Sequence, residues 1–597
     1  MKLVGPDRWQ GGFVASTLGK CHYTVEGWID RFGTWRNAMI KRMDRSKDLR
    51  TEYLIGAILV EEAGSRAASD DAARLDHWVR LLRDEGSSES SKEAILGDEL
   101  AALMQKYPDR RFAARYSKEL CIVIDREKAA FSAWYEMFPR SCAPQAGQHG
   151  TLRDCEARLS YVAAMGFDVL YLPPIHPIGH TSRKGKNNET VAGLDDVGSP
   201  WAIGSEQGGH TSIHPELGTL DDFESLMARA KERGIEIALD LAFQCSPDHP
   251  YVREHPEWFR KRPDGTIQYA ENPPKKYEDI LPLDFETPQW RELWDELKRV
   301  VLFWIEHGVH LFRVDNPHTK ALSFWEWMIG EVKDQHPDVL FLAEAFTRPA
   351  LMYRLAKAGF SQSYTYFTWR NTKPELTNYF QHWAESGVRE YFRPSLWPNT
   401  PDILPEFLQS GGRAAFMIRF ILAATLGANY GIYGPAFELC ESIPTEPGSE
   451  EYLNSEKYEL KHWDLSSPKS LKDLIARINR IRRENPALQR DANLHFHNTD
   501  NTEVICFSKS TDDLSDIVIV LCNLDPFHKQ TGWIDLDLVS LGLDPRRTFQ
   551  AHDLLSDSRF LWHGARNYFE LTPESLPAHI MKVRKWVRTE SDFDYYF

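Results

Sequence analysis

The sequence predicts an α/β fold in which a (β/α)8 TIM barrel over residues 131–490 is flanked by two β domains. Within this stretch, short apolar runs typical of strands alternate eight times with runs of helical periodicity. Strand-like runs cover the N-terminal segment, 1–130, and return in 491–597. The chain of 597 residues is also too long for one hydrophobic core. Three domains therefore fit both its length and its patterns.

The N-terminal segment alternates and turns like a set of strands, and residues 49–59, LRTEYLIGAIL, are predicted to form one of them. The period changes between about 64 and 112, where Leu75 and Leu82 fall two helical turns apart. Strand chemistry returns in LCIVIDRE, residues 120–127. We therefore predict an N-terminal β-sandwich with a helical insertion at about 64–112.

Eight candidate barrel strands follow one another through the middle of the chain. They are residues 130–138, 167–175, 234–243, 309–316, 339–346, 363–369, 394–402 and 428–437. Helical runs such as RELWDELKRVVLFWIEHG separate them, and a helix at 471–485 closes the pattern. The region from about 175 to 285 contains two Gly-rich, polar stretches with little periodicity, which predicts an inserted loop domain.

The last part of the chain returns to strand patterns. The runs VICFSKS, DIVIVLCNLD, WIDLDL and AHIMKVRKWV are apolar or alternating and rich in β-branched residues. No helical period interrupts them. We therefore predict an all-β C-terminal domain over 491–597.

Composition excludes several classes of protein. The net charge of −16 argues against a nucleic-acid or anionic-membrane partner. The eight cysteines are scattered without a CxxC pair or neighbouring histidines, which predicts reduced thiols, no metal site and a cytoplasmic location. The N-terminus shows no secretion signal. The most apolar stretch, 416–433, contains Arg419 and Asn429, so no membrane span is expected.

Two acidic residues stand at matching places in neighbouring units. Asp315 lies at the end of HLFRVDN and Glu344 at the end of VLFLAEAF. Consecutive strands of a parallel barrel end at the same face, so both side chains are expected to enter one cleft. An Asp and a Glu on either side of a glycosidic bond are the catalytic residues of a glycosidase or a glycosyl transferase. Arg313, on the same side of the strand, would keep Asp315 ionised. The alternative is two buried acids in unrelated ion pairs.

The segments ALDLAFQC, HLFRVDN, FLAEAF and NTPDIL occur in an order and spacing that resembles the four signature segments of the α-amylase superfamily, glycoside hydrolase family 13. The resemblance implies that Asp315 is the nucleophile, Glu344 the proton donor and base, and Asp402 the transition-state stabiliser. Two departures argue against a plain starch hydrolase. The first and fourth segments read QC and PD where ordinary amylases carry Asn-His and His-Asp.

Within that superfamily, VDNPHTK, AEAFTRP, NTPDIL and SEKYELKHWD resemble the bacterial maltosyltransferases that extend α-1,4-glucan from maltose 1-phosphate. The resemblance implies transfer of a maltosyl unit to the non-reducing 4-OH end of the glucan, with retained configuration, release of phosphate and no cofactor. It also implies that a set of residues, with Arg313, contacts the donor. These are Lys184, Asn188, Gln244, Asn272, Lys275, Tyr277, Asp279, Asn316, Lys457 and Tyr458.

The residues independently indicate where a phosphate could bind. A phosphate leaving group is a dianion, so its site needs local positive charge and neutral hydrogen-bond donors. The predicted insertion supplies both in RKGKNN, residues 183–188, and NPPKKY, residues 272–277. The alternative for either segment alone is a solvated loop.

Two other functions stay open at this point. One is an α-amylase-type glucan hydrolase or 4-α-glucanotransferase, against which the two missing histidines count. The other is a non-catalytic glucan-binding scaffold, against which the presence of all three acids counts.

The resemblance further implies a homodimer with contacts in the N-terminal region. Family members usually carry more chain before a segment such as MKLVGPDRW, so a truncated N-terminal sandwich is expected.

Overall fold

Two units make up the chain in the computed structural model, which describes residues 1–43, 48–84, 92, 95, 97–272 and 275–584. The first unit comprises residues 1–15 and 20–124. The second comprises residues 16–19 and the described chain from Asp125 onward. The barrel and the C-terminal sheet both belong to the second unit. The bounds given above for the three domains stay predictions.

Helices and short strand pairs form the first unit. The helices are Arg31–Met43, Arg50–Gly64, Ser69–Arg83 and Asp98–Lys106. The strands pair as Lys2–Gly5 with Arg8–Gln10, Gly19–Tyr23 with Leu120–Ile124, and Glu26–Gly27 with Ala114–Arg115. The helices supply the buried core, for example Trp35, Leu75 and Leu103. A Cβ at Gly56 would lie 2.1 Å from the Trp35 ring. Only glycine therefore lets the first two helices approach each other at this point.

The strand predicted at 49–59 is wrong, because these residues lie in the helix Arg50–Gly64. Tyr53 and Val60 are buried two turns apart, as a helix requires. Ile58, on the other face, is apolar but half exposed, so apolar residues on both faces hid the helical period. Helical structure also begins well before the predicted start of the insertion.

Eight parallel strands close into the predicted barrel. We call them the first to eighth barrel strands, namely Ser132–Glu136, Val169–Leu172, Glu236–Leu241, Leu311–Val314, Leu340–Ala343, Gln362–Ser363, Ser395–Leu396 and Asn429–Tyr433. Neighbours pair in parallel, including the eighth with the first, and a bridge from Ser363 to Pro394 links the sixth to the seventh. Seven of the eight predicted strands are confirmed, whereas the sixth, predicted over 363–369, is a strand only at Ser363 of that range. The sixth is short because Thr365 accepts a hydrogen bond from the Phe367 N–H and a 3-10 helix, Tyr366–Trp369, follows.

Helices connect and surround the barrel strands. The longer ones are Leu152–Ala164, Leu220–Glu232, Trp290–Glu306, Leu322–Gln335, Pro349–Ala358, Lys373–Glu385, Gly412–Leu426 and Lys472–Glu484, and the short ones are Pro250–Glu254, Glu406–Ser410 and Gly434–Glu438. Three begin at capping boxes, in which Thr151, Thr219 and Thr372 exchange hydrogen bonds with Asp154, Asp222 and Glu375. These boxes explain why the helices begin directly after polar loop residues.

The predicted insertion lies at the carboxyl ends of the second and third barrel strands. Gln244–Cys245 pairs with Leu281–Pro282. Ala270–Asn272 pairs with Lys275–Tyr277, and we call this pair the insertion hairpin. Both ladders are antiparallel and short, so loops make up most of this region. The insertion therefore stands at the barrel face where catalytic residues collect.

An antiparallel sheet forms the C-terminal part of the second unit, which confirms the all-β prediction. Its strands are Leu494–Thr499, Val504–Ser510, Ile517–Asn523, Gln530–Asp535, Thr548–Asp553, Arg559–His563, Arg566–Leu571 and Ala578–Arg584. The predicted last strand extends past Arg584, and that end lies outside the described residues. Across the described chain, no helix combines the length and apolar character that a membrane crossing needs.

Candidate active site

The two acids predicted from the sequence meet at one guanidinium. The fourth and fifth barrel strands pair in register, Val314 opposite Ala343, so the next residue of each strand emerges at the same level. These next residues are Asp315 and Glu344. Arg313 Nη1 donates to Asp315 Oδ1 at 2.8 Å, and Arg313 Nη2 lies 3.2 Å from Glu344 Oε1. The expected convergence of both carboxyl groups at one cleft is therefore present in the structure.

A third buried acid, Asp240 on the third barrel strand, shares the same guanidinium. Arg313 Nη1 donates to its two oxygens at 2.9 and 3.2 Å. Asp240 also accepts hydrogen bonds from the Tyr171 hydroxyl at 2.6 Å and from Trp201 Nε1 at 3.1 Å. Burial raises the pKa of Asp240 to about 6, against the opposing attraction of Arg313. The sequence analysis did not single out Asp240, although it lies in the segment ALDLAFQC.

Glu344 holds a proton at neutral pH. Burial raises the pKa of Glu344 to about 8, although the Arg313 guanidinium opposes this shift. The neighbouring carboxylates of Asp315 and Asp402 raise it further. The backbone N–H of Asn316 donates to Glu344 Oε2 at 3.1 Å and orients the group. This combination suits a general acid at neutral pH.

A left-handed turn follows Asp315 and sets the geometry of the pair. Asn316 has φ of 43°, an uncommon conformation outside glycine. The Lys320 ammonium donates to the carbonyl oxygens of Asp315 and Asn316 at 3.0 and 3.2 Å. Because both bonds go to the backbone, Lys320 fixes the turn without neutralising the carboxylate of Asp315 directly.

Asp402 stands on the wall of the cleft, paired with Lys457. The Lys457 ammonium donates to Asp402 Oδ1, and about 45% of the Asp402 side chain is exposed. Burial raises the pKa of Asp402, but the attraction of Lys457 outweighs this effect and leaves the pKa below its usual value. Lys457 also lies over the rings of Trp201 and Tyr277 at 5.4 and 5.8 Å. Asp402 is therefore a carboxylate near neutral pH.

Asp315, Glu344 and Asp402 line a cleft of about 950 Å³ at the carboxyl end of the barrel. Eight of the predicted site residues contribute to its wall. They are Gln244, Lys275, Tyr277, Asp315, Asn316, Glu344, Asp402 and Lys457. Five others, Lys184, Asn188, Asp279, Arg313 and Tyr458, are not lining residues, and the side chain of Asn272 lies outside the described part.

Lys184 is buried and holds the insertion together. Its ammonium lies 2.7 Å from Glu278 Oε2 and donates to the Lys276 carbonyl at 3.2 Å. Asp279 and Asn188 behave differently, because each has a buried side-chain oxygen with no hydrogen-bond partner among the described residues. Burial raises the pKa of Asp279 to about 6. The structure thus places Lys184 as a support of the insertion.

Lys275 of the insertion hairpin reaches across the cleft. Its ammonium contacts Glu451 Oε1 at 2.6 Å, and about 46% of its side chain is exposed. Glu451 and its neighbour Glu450 line the cleft, yet both come from a polar loop that offers no sequence signal of function. Only the fold brings this loop against the hairpin.

Two groups of side chains in the described chain have the composition of a metal site. His210, Cys245 and His249 are buried together, but His210 and His249 hydrogen-bond each other at 3.1 Å. Their remaining ring nitrogens are engaged by the Ala242 carbonyl and the Tyr251 N–H. Burial lowers the pKa of His210 to about 4. The histidines therefore act as a neutral hydrogen-bonded chain behind the third barrel strand. The second group is His149, His214 and Glu216.

Three family models match the chain. The first 126 residues match "Alpha-1,4-glucan:maltose-1-phosphate maltosyltransferase, domain N/S", residues 136–388 match "Alpha amylase, catalytic domain", and residues 496–583 match "GLGE, C-terminal".

Solved structures share the fold. An alpha-amylase from Lactobacillus plantarum has a TM-score of 0.56 at 21% identity, covering 76% of this chain and 100% of that one. AmyB, a maltogenic alpha-amylase from Thermotoga neapolitana, has a TM-score of 0.58 at 17% identity, covering 76% and 99%.

Relatives of higher identity span nearly the whole chain. A protein named alpha-1,4-glucan:maltose-1-phosphate maltosyltransferase from Chlorobaculum tepidum is 53% identical over 98% of this chain and 88% of its own length. One of the same name from Methylacidiphilum infernorum is 51% identical over 98% and 87%. With this identity over this length, and with both terminal family models matched, the chain belongs to the alpha-1,4-glucan:maltose-1-phosphate maltosyltransferase family.

Proposed function

We propose that the protein transfers a maltosyl unit from α-maltose 1-phosphate to the non-reducing 4-OH end of an α-1,4-glucan and releases phosphate. The observation that carries the proposal is the pair Asp315 and Glu344, which meet at one arginine while burial keeps a proton on Glu344. A retaining transfer needs one ionised nucleophile and one protonated acid on opposite sides of the scissile bond. The names of the full-length relatives support the choice of donor and acceptor.

The first half of the reaction would form a covalent intermediate. An oxygen of Asp315 attacks the anomeric carbon of the donor while the bond from that carbon to the phosphate oxygen breaks. Glu344 gives its proton to the departing oxygen, which the pKa of about 8 allows at neutral pH. The product is a β-linked maltosyl group on Asp315 and free phosphate.

The second half would restore the α configuration. Glu344, now ionised, takes the proton from the 4-hydroxyl of the glucan end, and the resulting oxygen attacks the anomeric carbon. Asp315 leaves as a carboxylate and Glu344 is again protonated. Asp402 would bind sugar hydroxyls and stabilise the positive charge that develops at the anomeric carbon. Its ionised state suits that role.

Donor binding would use the remaining predicted residues in two groups. Gln244, Lys275, Tyr277, Asn316 and Lys457 line the cleft and can contact sugar or phosphate directly. The others would act from behind the wall, Arg313 through the two acids and Lys184 through Glu278. The proposal also includes a cytoplasmic location and a homodimer. Sedimentation of the purified protein tests the oligomeric state.

A direct assay tests the proposed function. The protein is incubated with α-maltose 1-phosphate, with and without maltohexaose, and phosphate and oligosaccharides are measured. We expect phosphate release that depends on the acceptor, and products longer by two glucose units with α linkages by proton NMR. Maltose as the main product would instead indicate hydrolysis. Activity on glucan alone, without phosphate release, would indicate a glucanotransferase.

Lys275 should contribute to donor use rather than to the chemistry. Replacing Lys275 by Ala should lower kcat/KM for α-maltose 1-phosphate about tenfold, or roughly 1.5 kcal/mol, the lower end for a charge-assisted hydrogen bond. We choose the lower end because the ammonium is half exposed and already paired with Glu451. The measurement is initial phosphate release against donor concentration.

Two controls accompany the Lys275 variant. Activity with α-maltosyl fluoride should stay near that of the unmodified protein, because fluoride needs no phosphate site. A Glu451→Gln variant frees the Lys275 ammonium from its ion pair and should not weaken donor use. Equal losses with both donors would show that Lys275 only supports the hairpin.

A further inference from the structure

The cleft carries an aromatic ring that the proposed reaction leaves without a role. Tyr269 lines the cleft, and the Arg262 guanidinium lies 3.8 Å from its ring centroid. Arg262 is held in turn by Glu271, with Nη2 at 3.2 Å from Oε1. One face of the ring is therefore covered by a fixed, planar cation, and the ring is held at the cleft wall.

The backbone on both sides of Tyr269 is also fixed. The Gln268 N–H donates to the Arg260 carbonyl, and the Ala270 N–H donates to the Ile280 carbonyl, both at 2.8 Å. Ala270 then pairs with Tyr277 at the base of the insertion hairpin. A ring mounted in this way loses little conformational freedom when a ligand stacks on it.

The surroundings of the ring suit a neutral sugar better than a phosphate. Apolar side chains of the insertion, including Ile280, Leu283 and Phe285, line the same cleft. The charges of Arg262 and Glu271 offset each other in their ion pair, so the ring has no free cation beside it to attract a phosphate, and the Glu271 oxygens can accept hydrogen bonds from hydroxyls. A pyranose ring has an apolar C–H face and a rim of hydroxyls, which matches an aromatic plane beside polar acceptors.

We propose that Tyr269 binds the acceptor, stacking against a glucose unit of the α-1,4-glucan, and that this favours transfer over hydrolysis. The inference rests on the proposed function. The charged part of the cleft, with Lys275, Asp402 and Lys457, suits the phosphorylated donor. A neutral glucan has no charge to anchor it, so its affinity must come from stacking and hydroxyl contacts. Without the ring, water would reach the maltosyl intermediate more often.

Kinetics of the Tyr269→Ala variant test the inference. The KM for maltohexaose should rise about tenfold, the worth of one good aromatic contact, while the KM for α-maltose 1-phosphate stays within about twofold. The fraction of maltose among the products should rise. Tyr269→Phe keeps the stacking plane and should restore the acceptor KM. A rise in the donor KM alone, or an unchanged acceptor KM, would overturn the assignment.

Two further measurements distinguish a failure of this inference from a failure of the proposed function and from a loss of stability. Tyr568→Ala removes an exposed aromatic of the C-terminal sheet that does not line the cleft, and it should leave both KM values unchanged. Calorimetric titration with maltohexaose needs no turnover, so it reports on Tyr269 even if no phosphate is released. A weaker affinity in Tyr269→Ala, with an unchanged melting temperature, supports the acceptor site. Equal affinities in Tyr269→Ala and the unmodified protein refute it.

Discussion

Replacing Asp315 with Ala should reduce maltosyl transfer by about 10⁴- to 10⁶-fold, the loss typical of removing a covalent nucleophile. Described residues around Asp315 offer no substitute, because Glu344 holds a proton and Asp240 is buried against Arg313. The measurement is phosphate release at saturating donor and acceptor, after trace contamination has been excluded.

Asp315→Asn is the matched variant, because it keeps the volume of the side chain and an oxygen that can accept from Arg313. It should be equally inactive while its melting temperature stays close to that of the unmodified protein. Asp338→Asn is a control for the chemical change itself, since Asp338 pairs with His310 on a partly exposed surface. If Asp315→Asn kept more than about a hundredth of the activity, Asp315 would not be the nucleophile.

Replacing Glu344 with Gln should lower turnover of α-maltose 1-phosphate about 10²- to 10⁴-fold, the usual worth of a general acid. The loss should be much smaller in the first step with α-maltosyl fluoride, whose leaving group needs little protonation. Because the second step lacks its base, the variant should accumulate a maltosyl adduct. Peptide mass spectrometry should locate the adduct on Asp315, and an adduct on any other residue would contradict the mechanism.

The pH dependence follows from the raised pKa of Glu344. A carboxyl group with a pKa of about 8 is protonated at pH 7 and loses its proton above pH 8. Formation of the intermediate from α-maltose 1-phosphate, followed in single turnovers, should therefore slow as the pH rises through 8. Glu344→Gln cannot titrate and should show no such decline. Ionisation of the phosphate itself occurs near pH 6, outside this range. A decline shared by the variant would assign it to another group.

The pattern of alternating strands and helices was enough to predict the barrel and both acids. Apolar runs of strand length, separated by helical runs, leave few arrangements other than a parallel barrel over this length. Once the strands are placed, the residues that follow them, Asp315 and Glu344, must emerge at one face. Local patterning failed at 49–59, because an apolar helix buried on one face and half exposed on the other has no clear period.

Only the tertiary structure determines which side chains of the site carry a charge and which carry a proton. Whether Glu344 carries a proton depends on burial and on the distances to Arg313 and the neighbouring carboxylates, which come from separate strands. The same holds for Lys275 and Glu451, far apart in sequence and joined only by the fold. Tyr269 reads as an ordinary loop residue until Arg262 is seen against one face of its ring. Sequence determined which chemical groups are present, and long-range packing determined their distances, solvation and hence their roles.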